Sequence, residues 1–271
     1  MAAPTTGCIL PQSFLEGPAP NITRTGINFA EAGLSEYDGA WAVVLDGVMT
    51  EAECRQLVKA AEATTDGIWE RALVNIGDGR QAMYEDTRKC GRILWDNREI
   101  MAKLWARVES SVPEIHRLQN WAGVTGHAPV KRNETWKVTR LNERGRYLKY
   151  VGGEYFKGTH RGHNLVLFTE IAAHCDGTYE TPDRSERSYF TLHLYLNDAI
   201  GPNGPRLLEG GATTFYSYSM DKRIDVMPKC GRVLLFQHRN LLHSGDDVVS
   251  GTKLTLRTDL MYALEAGGKA G

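Results

Sequence analysis

Gly231-Arg-Val-Leu-Leu-Phe236 is an apolar run that closes in a turn before His243-Ser-Gly245, and Gly251-Thr-Lys253-Leu-Thr-Leu-Arg257 alternates apolar with polar residues. The first pattern is that of a buried strand, the second that of the strand following it. Further runs of the same kind lie at Trp136–Leu141, Arg146–Tyr150, Tyr189–Leu196 and Ala212–Tyr218, separated by clusters of Gly, Pro, Asn and Asp. With the first runs extended to Gly231–Gln237 and Leu254–Met261, this many short strands implies a sandwich or barrel. Upstream the period changes. Ala40-Trp-Ala-Val-Val-Leu45 reads as one strand, after which Thr50-Glu-Ala-Glu53 has the form of a capping box. It opens a helix through Cys54, Leu57, Val58 and Ala61 to about Ala63. Asp96-Asn-Arg-Glu99 opens a second helix, with Ile100, Leu104 and Val108 on one face until Pro113. The expected class is therefore α+β but mainly β, with helices buttressing one side of a sheet.

Chemistry enters with His174-Cys175-Asp176. On an extended chain, side chains two apart point to the same side and can converge on one ion, while Cys175 points away. His243 offers a third ligand. Two imidazoles and one carboxylate fill one face of an octahedral iron(II) and leave the rest for a bidentate co-substrate and dioxygen, which points to an oxygenase. Ten residues after His243 stands Lys253, a compact cation suited to the distal carboxylate of a dicarboxylic co-substrate. A lone His-x-Asp is more often a hydrogen-bonded pair on a strand than a metal site. Here it is the ordered company of His243, Lys253 and Gly210-Gly-Ala-Thr213 that favours metal.

Taken in order, Tyr150-Val-Gly-Gly153-Glu-Tyr155, His174-x-Asp176, Leu194-Tyr-Leu-Asn197, Gly210-Gly-Ala-Thr213-Thr-Phe215, Pro228-x-x-Gly231 and His243-Ser-Gly245 with Lys253 resemble the prolyl 4-hydroxylase-type branch of the Fe(II)/2-oxoglutarate dioxygenases. The resemblance spans roughly residues 40–264, and several ordered motifs are more specific than any one of them. It implies a double-stranded β-helix (jelly roll, cupin-like) with flanking N-terminal helices. The layout is an irregular arm over 1–35 and a single dioxygenase domain over 36–265, with a helical buttress at about 50–115 and a jelly-roll core at about 135–264. It also implies roles: His174, Asp176 and His243 bind iron, and Lys253 pairs with the C5 carboxylate of 2-oxoglutarate, helped by the hydroxyls of Tyr150 and Thr213. Arg257, on the same face of an alternating strand, is a reserve anchor for a carboxylate. Fe(II), 2-oxoglutarate, O2 and ascorbate as reductant complete the expectation. The implied reaction hydroxylates a C–H bond of a prolyl or lysyl residue, an amino acid or a small metabolite, releasing succinate and CO2. The carboxylate at 176 speaks against halogenation. One departure stands out. Deleting residues 158–172 would restore Tyr-Phe-Lys-Ala-His-Cys-Asp in the usual register, so that segment reads as an insertion beside the site.

Composition narrows the rest. A chain of 271 residues suits one substantial core, and 42% hydrophobic with 24% charged residues is ordinary for a globular domain. A net charge of -1 without a basic stripe argues against nucleic acid as partner. The start lacks a signal sequence and no apolar run is of membrane-spanning length, so a cytoplasmic protein acting on a small molecule or peptide is expected. Five irregularly spaced cysteines fit reduced thiols. His193 alternates with apolar neighbours and reads as a satisfied strand histidine. Two other classes stay open: a non-catalytic binding protein retaining the oxygenase fold, and a zinc hydrolase built on the same ligands, for which Lys253 has no role.

Overall fold

The computed structural model describes residues 10–72, 74–77, 80–82, 88–156, 173–201 and 204–265. The segment 158–172, read above as an insertion, lies outside the described residues. The elements that position the site are, in chain order, β1 (Thr23–Gly26), β2 (Ala42–Asp46), α1 (Glu51–Ala63), β3 (Gly91–Asp96), α2 (Arg98–Val108), β4 (Thr135–Leu141), β5 (Arg144–Val151), β6 (Glu154–Phe156), β7 (Glu186–Tyr195), β8 (Leu208–Gly210), β9 (Thr213–Tyr216), β10 (Arg223–Val226), β11 (Val233–Gln237) and β12 (His243–Leu264).

All pairings among these strands are antiparallel. The major sheet runs β1-β2-β11-β7-β12-β5-β3. A smaller sheet forms around the first part of β12, which pairs with β9 and β8 on one edge and β6 on the other, with β10 beyond β9. The two sheets face each other across Tyr195, Phe215, Leu234 and Phe236 at one end and Leu148, Tyr150, Leu208 and Val248 at the other. This mainly β arrangement with few helices is the double-stranded β-helix that the motifs imply. Four residues of the stretch read as an irregular arm, β1, pair with β2 at the sheet edge.

Sidedness explains where the core sits. On β7, Phe190, Leu192 and Leu194 face a layer containing Leu57 and Ala61 of α1 and Met101, Leu104 and Val108 of α2. The intervening Thr191, His193 and Tyr195 therefore face the space between the sheets. On β12, Leu256 and Leu260 join the helical side, which turns Lys253, Thr255, Arg257 and Asp259 inward. The helices that cover this side start as their sequences demand. The Thr50 hydroxyl accepts from the Glu53 N–H while the Glu53 carboxylate accepts from the Thr50 N–H, a complete capping box. In α2 the cap is Asn97, whose side chain accepts from Ile100 N–H at 3.0 Å; Asp96 is instead held by Arg144. Arg107 ties the two helices together, its guanidinium spanning both oxygens of Glu53 at 2.7 and 3.0 Å.

β12 is 22 residues long and serves both sheets, pairing with β8 up to Gly251 and with β5 from Thr252. The passage between sheets needs glycine: Gly251 has φ +85°, and a Cβ there would lie 2.1 Å from the Leu207 carbonyl oxygen. Gly251→Ala is expected to lower stability by about 3 kcal/mol, combining left-handed strain with displacement of that carbonyl. Urea denaturation should show the midpoint falling at unchanged slope; a midpoint equal to the parent's would mean the corner does not depend on this glycine.

Candidate metal and anion site

His174 sits in an irregular segment joined to β12 by a single bridge, with hydrogen bonds from His174 N–H to the His243 carbonyl at 2.8 Å and back at 2.9 Å. The His-x-Asp is thus not part of a longer strand, but the bridge gives the local extension that brings His174 and Asp176 to one side. Asp176 Oδ1 lies 3.6 Å from His174 Nε2 and 3.7 Å from His243 Nε2, and the two rings are 4.6 Å apart. One ligand atom from each of the three residues falls within 4.8 Å of the others. Cys175 is not part of this cluster, and it is exposed rather than packed.

Each ligand candidate is prepared by its surroundings. His243 is 5% exposed and wedged against Phe236, and its Nδ1 donates to the Leu241 carbonyl at 3.0 Å. Because a carbonyl can only accept, the proton is on Nδ1 and the Nε2 lone pair faces Asp176. Burial, reinforced by His174 and Arg257 against the opposing pull of Asp176, brings the His243 pKa down to about 4, so the ring is neutral near pH 7. Burial by itself would raise the Asp176 carboxyl, yet Arg257, His243 and His174 hold it well below the usual carboxylate range. Arg257 Nη2 donates to Asp176 Oδ1 at 2.6 Å and the Thr191 hydroxyl donates to Oδ2 at 2.6 Å. Arg257 does share the inward face of Lys253, but its guanidinium is engaged with Asp176. Its Nε makes no hydrogen bond among the described residues.

A second cluster lies along the same strand. Tyr150 stands opposite Lys253 in the pairing of β5 with β12. Lys253 is 2% exposed, and its Nζ lies 5.5 Å from the Tyr150 ring centroid and 6.0 Å from that of Tyr195. No carboxylate among the described residues forms an ion pair with it. Burial pushes its pKa down to about 8, with Asp246 and Cys90 pulling the other way. It is therefore a buried cation held by two aromatic faces. Thr213, 2% exposed, accepts a 2.7 Å hydrogen bond from the Tyr195 hydroxyl, which leaves its own hydroxyl hydrogen for an acceptor. The glycines before Thr213 allow this approach: Gly210 has φ +76°, and a Cβ on Gly211 would lie 3.3 Å from Lys253 Cδ. Tyr195 and Thr191 were not singled out from sequence, although the alternation that turns His193 inward turns them inward too. His193 is half-buried, with its Nε2 closed to solvent and making no hydrogen bond among the described residues. Burial, then Lys253, Arg257 and His243, hold its pKa well below normal and the ring neutral.

Two imidazoles and one carboxylate with a buried cation nearby is the donor set of an iron and dicarboxylate site, and residues 163–258 match the 2OG-Fe(II) oxygenase superfamily. Over those residues the chain is similar to that superfamily. The match begins inside the segment 158–172 and extends past Lys253 and Arg257. No curated protein matches the chain. Among solved structures, a prolyl hydroxylase from Trichoplax adhaerens, in complex with a hypoxia inducible factor oxygen degradation domain peptide fragment, is similar at TM-score 0.50 and 13% identity, over 85% of this chain and 89% of that one. A viral collagen prolyl hydroxylase from Paramecium Bursaria Chlorella virus-1 has TM-score 0.47 and 17% identity over 83% and 98%. A Pseudomonas putida prolyl-4-hydroxylase has 0.48 and 13% over 87% and 99%. At 13% identity the likeness to the Trichoplax adhaerens structure speaks for the fold alone. The donors of this site fit the Fe(II) and 2-oxoglutarate that the matched superfamily is named for. No helix among the described residues is long and apolar enough to cross a membrane.

Proposed function

We propose that this protein is a 2-oxoglutarate-dependent dioxygenase of the prolyl 4-hydroxylase type, which hydroxylates a C–H bond and releases succinate and CO2. The observation that carries the reading is the pairing of a three-ligand cluster with a buried Lys253, on the same strand as His243, that has no carboxylate partner among the described residues. In it, His174, Asp176 and His243 hold Fe(II), and Lys253 receives the C5 carboxylate of 2-oxoglutarate, with Thr213 donating a second hydrogen bond and Tyr150 closing the other side. Bound iron and 2-oxoglutarate supply the oxidising power, with ascorbate as the reductant that keeps the metal ferrous. The chain contributes position and polarity: the Leu241 carbonyl aims the His243 ring, Thr191 and Arg257 fix the Asp176 carboxylate, and Tyr195 orients Thr213. Arg257 also lowers the charge that Asp176 presents, because its guanidinium shares the carboxylate oxygen nearest both imidazoles.

The test is 2-oxoglutarate-dependent succinate formation by the Fe(II)-loaded protein under air, with and without candidate prolyl peptides and amino acids; no succinate under any condition would favour a binding protein that keeps only the fold. Lys253 sets a pH signature. A protonated ammonium is needed to hold the carboxylate, so 2-oxoglutarate affinity should be full below about pH 8 and fall as pH rises through that value. Titration calorimetry from pH 6 to pH 9.5 reads it directly, and affinity independent of pH over that range would remove Lys253 from the role.

A further inference from the structure

Two of the free cysteines, Cys54 and Cys230, meet where α1 packs against the turn that leads into β11. Cys54 sits in the first turn of α1, its N–H bonded to the Thr50 carbonyl at 3.0 Å, and its side chain is fully buried. The turn that carries Cys230 is pressed onto the chain just before the helix. Val48 N–H donates to the Gly231 carbonyl at 3.0 Å, and a Cβ on Gly231 would lie 1.9 Å from the Met49 carbonyl oxygen. Glycine, here at φ +73°, is what permits that approach. The turn is also held from its other side, with Cys230 N–H donating to Asp198 Oδ1 at 2.8 Å and Gly231 N–H to the Tyr195 carbonyl at 3.0 Å. Cys230 therefore packs, half-buried, against the apolar layer that contains Cys54 and Leu57. The Cys54 thiol donates to the Cys230 sulfur, which lies 3.6 Å from the Leu196 carbonyl oxygen. That donation favours the thiolate of Cys230 and, together with burial, disfavours that of Cys54, so the half-buried sulfur is the more readily ionised of the two.

We propose that Cys54 and Cys230 form a dithiol modification site, converted to a disulfide by hydrogen peroxide, a water-sized oxidant able to reach a half-buried sulfur, and reopened by thiol reductants. The Cys230 thiolate attacks one peroxide oxygen and the O–O bond breaks. Hydroxide leaves and takes up a proton to become water, and Cys230 becomes a sulfenic acid. The Cys54 sulfur then attacks the Cys230 sulfur, the S–O bond breaks, and a second water departs with the Cys54 proton. Two thiols are thus oxidised to one disulfide while one peroxide is reduced to two waters. From hydrogen-bond contact, the approach to an S–S bond of about 2 Å is short. The bond ties the start of α1 to the start of β11, and restricting the unfolded chain over so long a loop raises stability.

Peptide mapping tests the assignment. Full-length protein, with a chelator present to exclude iron-driven radical oxidation, is treated with hydrogen peroxide, quenched with catalase, alkylated without reduction and digested. The expected product is a peptide pair joined through Cys54 and Cys230, lighter by two hydrogens than the sum of its parts and separated by dithiothreitol. Oxidised parent protein should show a higher urea midpoint than reduced parent, a difference lost in Cys54→Ala and in Cys230→Ala. In Cys54→Ala, dimedone should capture Cys230 as the sulfenic acid. Cys175 is the internal control, because it is the more exposed thiol. A cross-link running through Cys175, Cys230 oxidised to sulfinic acid with Cys54 left as a thiol, or Cys54 and Cys230 both unaltered by peroxide overturns the proposal.

Discussion

Lys253→Met is expected to raise the stability of the cofactor-free protein while removing its affinity for 2-oxoglutarate. The lysine is enclosed between the Tyr150 and Tyr195 rings, and its pKa falls from 10.5 to about 8, a cost of about 3 kcal/mol for keeping the proton at neutral pH. Methionine keeps most of the side-chain length and has no charge to desolvate. The sign with pH follows from linkage. The folded-state pKa lies below the unfolded one, so the penalty is complete below about pH 8 and disappears as pH rises toward 10.5. The stability gain of the variant should shrink over the same interval. Binding moves the other way, because the carboxylate loses its buried cation, and an affinity loss on the order of 100-fold or more is expected. Thermal unfolding and calorimetry check the two halves. A variant that is less stable and still binds 2-oxoglutarate would show Lys253 to be a packing residue.

Asp176→Asn should abolish tight Fe(II) binding and also destabilise the metal-free protein. The amide keeps the shape but removes the anionic donor between two imidazoles, for which a loss of at least about 100-fold in metal affinity is expected. It also deprives the Arg257 guanidinium of its 2.6 Å partner. Breaking a buried pair by neutralising one member costs about 3–5 kcal/mol; because the Arg257 side chain is 27% exposed, about 2 kcal/mol is the expectation here. Thr191 adds to the cost, since its hydroxyl at 2.6 Å loses a charged acceptor. Fe(II) titration under nitrogen and urea denaturation measure the two effects. Unchanged metal affinity would mean that the cluster is not the iron site.

The fold was legible wherever a strand carries its own pattern. β7 and β11 are long enough for apolar residues to repeat on the helical face, and α1 announced itself through Thr50 and Glu53. The first part of β12 was not legible. His243-Ser-Gly-Asp-Asp-Val248 carries no alternation, and its partners β6 and β8 are three residues each, so that stretch is held by pairing alone. From sequence the next strand was marked only from the alternation beginning at Gly251. β3 was missed for a similar reason, its Arg92-Ile-Leu-Trp95 lacking a clean period.

At the site, spacing was sufficient to nominate His174, Asp176, His243 and Lys253, because motif order survives in sequence. What holds them was hidden. The grip of Thr191 and Arg257 on Asp176 depends on register, Thr191 opposite Asp259 and His193 opposite Arg257 across β7 and β12. No spacing along the chain reveals a register between strands more than sixty residues apart. The donation from Tyr195 to Thr213 likewise crosses from one sheet to the other. Its only sequence signal was the inward parity shared with His193.

The measurement closest to the central claim is anaerobic titration of the Fe(II)-loaded protein with 2-oxoglutarate, following the weak visible absorption of a chelated keto acid. The account predicts a saturable band in the parent protein, absent in His174→Ala and shifted to much higher 2-oxoglutarate concentration in Lys253→Ala. Well-folded parent protein that binds Fe(II) and shows no band at any concentration would contradict it.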